Sequence, residues 1–507
     1  MRKDLLPIVI LTPIIIIGFF ILYFQQLHTD VLYFLYWTER VVDGARLYVD
    51  IKDINTPITF YFNYPIILVA KFLGLSVELT FKVFVVNLLF GIIFLCKKIL
   101  SYSALSSKNM IYILLVLLLV FTLSGWDFGQ REYLFSLLAT PFVMVRIIYV
   151  VQKNFKLPIW PSLLSGLLAA CGVGFKPYFV LPLLVLEIYI FLVKRNIRTF
   201  FRKECLSLVF SIIFQIAVIL WFLPGYLENF LIGLQNYPYY VTQGHLFLRF
   251  ETLLLIVSVV IFFYEYKKGI SGQTSRILFL LILASWVAGI IQTKGFPQHY
   301  LPLRFVSLFY FSSAIYRSLG SRIRNDTTIT KDFLTSLLLS LMLLTFWIQE
   351  TKALNPPLSV SSTEYKLLVS LTKEKAENQK IALISTSFYP VVLFVHDANV
   401  GWATRNTNFW LVPGFYKNVD SREKPFPYHK PSQMSKYEYE FFDSTIKDLV
   451  VSTPELIFIQ TGYYKAGFGL STFDYYEYLS QDIRFVDLLK QYDLLRKMYE
   501  LDILIKK

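Results

Sequence analysis

Long apolar runs separated by short basic segments fill the first 350 positions. The run at 5–24 follows Arg2 and Lys3 and is about the 20 residues an α-helix needs to cross a bilayer. It ends in Gln25-Gln26-Leu27-His28 with no small-residue cleavage site, so it reads as a retained first helix and not a removed signal peptide. Further runs near 79–97, 109–125, 133–152, 157–174, 178–194, 204–223, 251–266, 277–292, 301–317 and 332–349 predict about 11 transmembrane helices. The alternate loops sort by charge: Lys97, Lys98 and Lys108; Lys153 and Lys156; Lys194, Arg195, Arg198, Arg202 and Lys203; Lys267, Lys268 and Arg276; and Arg317, Arg322, Arg324 and Lys331 all fall on one side. By the positive-inside rule that side is cytoplasmic, and the N-terminus with it.

The stretch 58–75 is apolar enough to cross but is interrupted by Asn63, Pro65 and Lys71. If it crossed, every later basic loop would face outward, so it is expected to lie in the plane of the outer surface or to re-enter there. The outer loops are then 25–75, 126–131, 175–176, 224–250 and 293–300. Past Asn355-Pro356-Pro357 the composition turns polar. Short buried strands are expected at 381–385, 391–395 and 456–460, with helical stretches at 437–451 and 485–499. Together these readings predict a polytopic α-helical membrane protein: a transmembrane domain at 1–350, and a soluble extracytoplasmic α/β domain at 351–507.

Composition sharpens the picture. Of 507 residues 55% are hydrophobic and 17% charged, against about 45–50% and about 25% in soluble domains. A secreted toxin, a disordered tail and a cytosolic enzyme are excluded. The net charge of +14 resides wholly in the hydrophobic part, because residues 350–507 carry 19 basic and 19 acidic groups. The excess is therefore an insertion signal, and no nucleic-acid partner is implied. Cys96, Cys171 and Cys205 lie in or beside apolar runs, without C-x-x-C spacing, and read as packing residues.

Positive-inside sorting makes outer-face cations rare and hence informative. Arg131 in Gly129-Gln130-Arg131-Glu132, Lys176 in Phe175-Lys176-Pro177, and Lys294 in Lys294-Gly295-Phe296-Pro297-Gln298-His299 each adjoin Gly or Pro at the outer end of a span. With His299 they could hold an anionic headgroup, phosphate being the natural partner. Carboxylates gather on the same face: Asp30, Glu39, Asp43, Asp50 and Asp53 in the first outer loop, Asp127 and Glu132 in the second. One near a phosphate site could take the proton of an attacking hydroxyl, and Asp30 is best placed for it. The Asp-x-x-Asp spacing at Asp50 and Asp53 is a weak metal signal with no nearby His, and Glu187 lies inside a span.

The first span followed by His28-Thr29-Asp30, then the segment from Trp37 through Asp43-Gly44 to Asp50, then Asn55-Thr56-Pro57, resembles the first outer loop of GT-C glycosyltransferases. The likeness is to the bacterial branch related to protein O-mannosyltransferases and aminoarabinose transferases. It covers residues 1 to about 350 and is supported by the Gly129–Glu132, Phe175–Pro177 and Lys294–Pro302 loop motifs. The resemblance implies transfer of a sugar from a polyprenyl-phosphate donor to an acceptor hydroxyl at the outer face of the bacterial inner membrane. Asp30 would match the family's reaction-centre Asp, and Arg131, Lys176 and Lys294 the residues that hold the lipid phosphate. It departs from the family where Val31 follows Asp30 in place of a second acid, and where Thr56-Pro57 stands for Pro-Pro.

The expectation is thus a glycosyltransferase with catalytic Asp30 and substrate-binding Arg131, Lys176, Lys294, His299, Asp127, Glu132 and Asp50. No metal residues and no soluble cofactor are assigned, with divalent-metal dependence left open. Its partners would be the lipid-linked donor, the bilayer and a glycan, lipid or protein acceptor. A transporter or flippase of lipid-linked saccharides is the alternative, and a non-catalytic scaffold a third reading.

Overall fold

The computed structural model describes residues 6–236, 250–269, 271–291, 296–322, 363–387, 391–406 and 408–507. Ten of the eleven expected spans are helices there; the eleventh, at 332–349, lies outside the described residues. The ten are α1 (Leu6–Phe24), α5 (Val77–Ser101), α6 (Ser107–Thr122), α7 (Arg131–Val151), α8 (Ile159–Phe175), α9 (Val180–Lys194), α10 (Lys203–Phe222), α12 (Phe250–Lys267), α13 (Gln273–Ile290) and α14 (Leu301–Arg322). Among the described residues five helices are each long and apolar enough to span alone, and a sixth if Leu11–Phe24 and Thr29–Val42, bent by 54°, count as one broken span. Others fall short individually: α6 and α8 have 16 and 17 residues, and α12 carries Glu251, Glu265 and Lys267. Together the helices make a polytopic membrane protein. Helix α10 turns Phe210, Phe214, Trp221 and Phe222 outward, as a bilayer-facing surface requires.

Local sequence explains where the helices begin and stop. The Ser76 and Ser106 hydroxyls cap α5 and α6 by accepting the backbone N–H of Leu79 and Asn109. The stretch 58–75 divides into α3 (Pro57–Tyr61) and α4 (Tyr64–Leu73), the second closed by Gly74 in the left-handed region at φ 63°. A Cβ on Gly166 would lie 2.1 Å from the Glu204 carbonyl oxygen, so glycine permits the close approach of α8 to α10. Glu187, flagged as an acid within a span, is paired across the bundle. Both its oxygens accept from the fully buried Arg146 (2.6 and 2.7 Å), which also donates to Glu204 at 3.1 Å.

The chain divides into two compact units that do not follow sequence order. One comprises Met1–Val31, Tyr61–Val218 and Gln243–Leu354; the other comprises Leu32–Phe60, Ile219–Thr242 and Asn355–Lys507. The second therefore contains more than the C-terminal region: most of α2 (Thr29–Val42), part of the first outer loop and α11 (Pro224–Asn236) belong to it. Its centre is a mixed sheet in the order β2-β1-β3-β7-β6, formed by β1 (Lys380–Ile384), β2 (Gly401–Trp402), β3 (Leu456–Gln460), β6 (Tyr492–Met498) and β7 (Leu501–Lys506). The pairs β1–β2 and β1–β3 are parallel; β3–β7 and β6–β7 are antiparallel. The short hairpin of β4 (Tyr464–Lys465) and β5 (Gly469–Leu470) stands beside it. In the same unit the Lys52 N–H donates to the Arg405 carbonyl at 3.0 Å, so the early loop extends the C-terminal fold.

Two expectations for this region are corrected. Residues 391–395 are not a strand; they lie in the helix Val391–Asp397. A short apolar run fits a buried helix as well as a strand, and periodicity does not separate them. The helix expected at 485–499 is Ile483–Leu489 only, after which the chain becomes β6. The β6–β7 hairpin turns at Tyr499 and Glu500, whose φ of 54° and 62° give the two left-handed residues of a tight hairpin without the usual glycine signal.

Candidate active site

Asp30 stands in the first turn of α2, where the helix N-terminus favours a negative charge. Its backbone N–H donates to His28 Nδ1 at 3.0 Å, which leaves the proton of the neutral imidazole on Nε2. Burial lowers the His28 pKa and so favours that neutral form, with the Asp30 charge opposing. The ring lies edge-on to Trp126, centroids 5.4 Å apart. Across from Asp30, Arg131 opens α7, and its Nη2 is 3.8 Å from Asp30 Oδ2. That is an ion pair too long for a hydrogen bond, so the carboxylate, about a quarter exposed, keeps lone pairs available for a proton.

Arg131 is delivered by a turn that only glycine fits comfortably. Gly129 has φ +75° and a Cβ there would meet the Phe81 ring at 2.5 Å. Lys176 follows α8 in extended conformation (φ −148°), as a residue before proline must be; Pro177 opens the turn that leads into α9. The Lys176 ammonium is buried and donates to Glu132 Oε1. Burial lowers its pKa to about 8, against the raising effect of Glu132. His299, in the turn Pro297–Tyr300, brings Nε2 to 3.9 Å from the same Glu132 oxygen. The second oxygen, Oε2, is buried without a hydrogen-bond partner. Arg131 and Asp30 both act electrostatically on Lys176, and His28 feels Asp30, Glu132, Arg131 and Lys176 together.

Thus Asp30, Arg131, Glu132, Lys176 and His299 converge within the first unit. Lys294 lies outside the described residues. Asp127 is bound into a neighbouring buried network: it accepts from Arg304 Nη1 at 3.4 Å, while Arg304 also donates to Glu251, from Nε at 3.1 Å. Asp50 belongs to the second unit, where it pairs with Arg46 on an exposed loop at 3.0 Å. Sequence reading missed His28 as a neighbour of the acid and the pair Arg304–Glu251. Their signal was present, since an ionisable residue just inside an apolar run rarely stands without a partner. Among the described residues no group of three or more His, Cys, Asp or Glu side chains is arranged to hold a metal ion.

The site is chemically competent for an anion flanked by a base. The Arg131 and Lys176 cations could hold an oxyanion, with His299 beside them, and Asp30 could take a proton from a hydroxyl placed beside it. No protein-family model and no curated protein matches the chain. Among solved structures, the oligosaccharyltransferase of Archaeoglobus fulgidus in its apo form is similar at 11% identity and a TM-score of 0.43, over 95% of this chain and 72% of that one. The archaeal oligosaccharyltransferase AglB of the same organism, in complex with an inhibitory peptide and a dolichol-phosphate, gives a TM-score of 0.42 with the same identity and coverage. Overlaps this loose carry no weight for function.

Proposed function

We propose that the chain is a membrane glycosyltransferase of the GT-C superfamily, acting at the outer face of a bacterial inner membrane. Its donor is a sugar on a polyprenyl phosphate, and its acceptor is a hydroxyl. The observation that carries this reading is the Asp30–Arg131 pair at 3.8 Å, with the Lys176–Glu132 pair and His299 beside it in one unit.

In the reaction, the acceptor oxygen forms a bond to the anomeric carbon as the bond from that carbon to the phosphate oxygen breaks. Asp30 receives the hydroxyl proton, and the electron pair leaves with the polyprenyl phosphate. Arg131 and Lys176 stabilise the growing charge on the departing phosphate, and His299 adds a donor when its ring presents an N–H. Glu132 keeps Lys176 oriented and partly neutralised before the donor arrives. The outer-face assignment is supported by the basic loops at 97–108, 153–156, 194–203, 267–276 and 317–331, which the positive-inside rule places in the cytoplasm.

Membranes carrying the protein or its Asp30→Asn variant, supplied with labelled polyprenyl-phosphate sugar and a fractionated envelope, test the assignment. Transfer should fall by about 10²–10⁴-fold in the variant, the usual worth of a positioned base. Equal labelling by both forms would remove Asp30 from the chemistry. A transporter of lipid-linked saccharides would move its lipid across the membrane without forming any labelled product.

A further inference from the structure

His28 stands at the N-cap position of α2, directly before Thr29, and its Nδ1 accepts the Asp30 backbone N–H at 3.0 Å. A nitrogen that accepts cannot carry the proton, so in the neutral ring Nε2 is the donor. Among the described residues nothing takes that hydrogen bond. His28 is partly exposed, and its Nε2 is not among the unpartnered atoms shut off from solvent. Trp126, also partly exposed, lies beside it with ring centroids 5.4 Å apart. All of these residues belong to the first unit, with Arg131, Glu132 and Lys176. Proton transfer to Asp30 and stabilisation of the leaving phosphate make no use of the His28 N–H or of the indole.

We infer that His28 and Trp126 hold the sugar ring of the lipid-linked donor, the His28 Nε2–H donating to a sugar hydroxyl. A donor whose phosphate rests on Arg131 and Lys176 has its sugar one bond away. Arg131 Nη2 is 3.8 Å from Asp30 Oδ2, and Asp30 is tied through its own N–H to His28, so a ring presented to Asp30 lies beside His28. Charge decides which part of the donor belongs there. Of the four charges acting on His28, those of Asp30 and Glu132 are stronger than those of Arg131 and Lys176. The potential at the ring is therefore negative, which disfavours a phosphate and suits a neutral hydroxyl. Burial keeps the imidazole in its neutral form, a directional donor that adds no charge. The Trp126 indole supplies an aromatic surface for the polarised C–H face of a pyranose. The inference rests on the lipid-linked donor of the proposed function, not on transfer itself.

The full-length protein in detergent micelles is titrated with a polyprenyl phosphate, and with the same lipid esterified to each of several neutral hexoses and amino sugars. At least one ester should bind about tenfold tighter than the bare phosphate, the worth of one good hydrogen bond or stacking contact. His28→Asn keeps a side-chain oxygen for the Asp30 N–H, and with it the cap, but has no group at the Nε2 position. It should bring the ester down to about the affinity of the bare lipid and leave bare-lipid binding unchanged, which a merely structural role would not do. His28→Gln, whose amide N–H reaches the place of Nε2, should keep most of the preference. Trp126→Ala should lose it and Trp126→Phe retain most of it. An ester that binds no tighter than the bare lipid, a preference that survives both His28→Asn and Trp126→Ala, or a loss shared equally by lipid and ester each overturn the inference. Tight, His28-dependent binding without any labelled transfer product would remove the transferase and leave the sugar site. Transfer by the parent with no such preference would do the reverse.

Discussion

The fold alters the protonation of Lys176 in the pH range where it would act. Its buried ammonium holds a proton below about pH 8 and loses it above, because burial outweighs the attraction of Glu132. A bound phosphate would favour the charged form. Affinity for a polyprenyl phosphate should therefore be full below about pH 8 and decline as pH rises beyond it. Titrating binding between pH 6.5 and about 9.5 checks this; Lys176→Arg, which stays charged throughout, should flatten the decline. The sequence showed Arg131, Lys176 and Lys294 as outer-face cations, with His299 beside them, and Asp30 as the first acid after the first span. It did not show that Glu132 would be the carboxylate on which Lys176 and His299 meet, because that depends on how three loops fold back on one another.

At the level of elements, periodicity was most reliable where burial has one cause. Long apolar runs next to basic loops can be little other than bilayer-spanning helices, and each described one is a helix. Near the C-terminus the pattern was ambiguous. The hairpin after Leu489 turns on Tyr499 and Glu500, residues that carry no turn signature, so the pairing of β6 with β7 decided a structure that local propensity could not. Inside the helical unit Arg146 joins α7, α9 and α10 through Glu187 and Glu204. Arg146→Leu leaves the buried Glu187 without its cation, while Glu204 keeps Arg202 at 2.7 Å, and should destabilise the protein by about 3–5 kcal/mol. Thermal unfolding in detergent measures this. Arg146→Leu combined with Glu187→Leu should recover much of the loss, since that apolar pair strands no charge and Glu204 keeps Arg202.

For the molecule as a whole, the charge sorting makes a claim about sides. On the proposed orientation Leu105, 38% exposed in the loop between α5 and α6, faces the cytoplasm, and Tyr463, 67% exposed in the C-terminal region, does not. In intact spheroplasts an impermeant thiol reagent should label Tyr463→Cys and spare Leu105→Cys, with labelling of both after lysis. Native Cys96 and Cys205 are buried and should contribute little background.

The second unit draws on three stretches of chain, Leu32–Phe60, Ile219–Thr242 and Asn355–Lys507, each separated from the next by more than a hundred residues. During synthesis its earliest piece leaves the ribosome long before the strands it must join exist. At a translation rate of about 5–20 residues per second, that interval lasts on the order of tens of seconds. Throughout it the apolar side chains of the first stretch have no finished partner. Cells making this protein should therefore depend on holding factors at the membrane surface, and premature release of the nascent chain would leave an incomplete fold prone to aggregation.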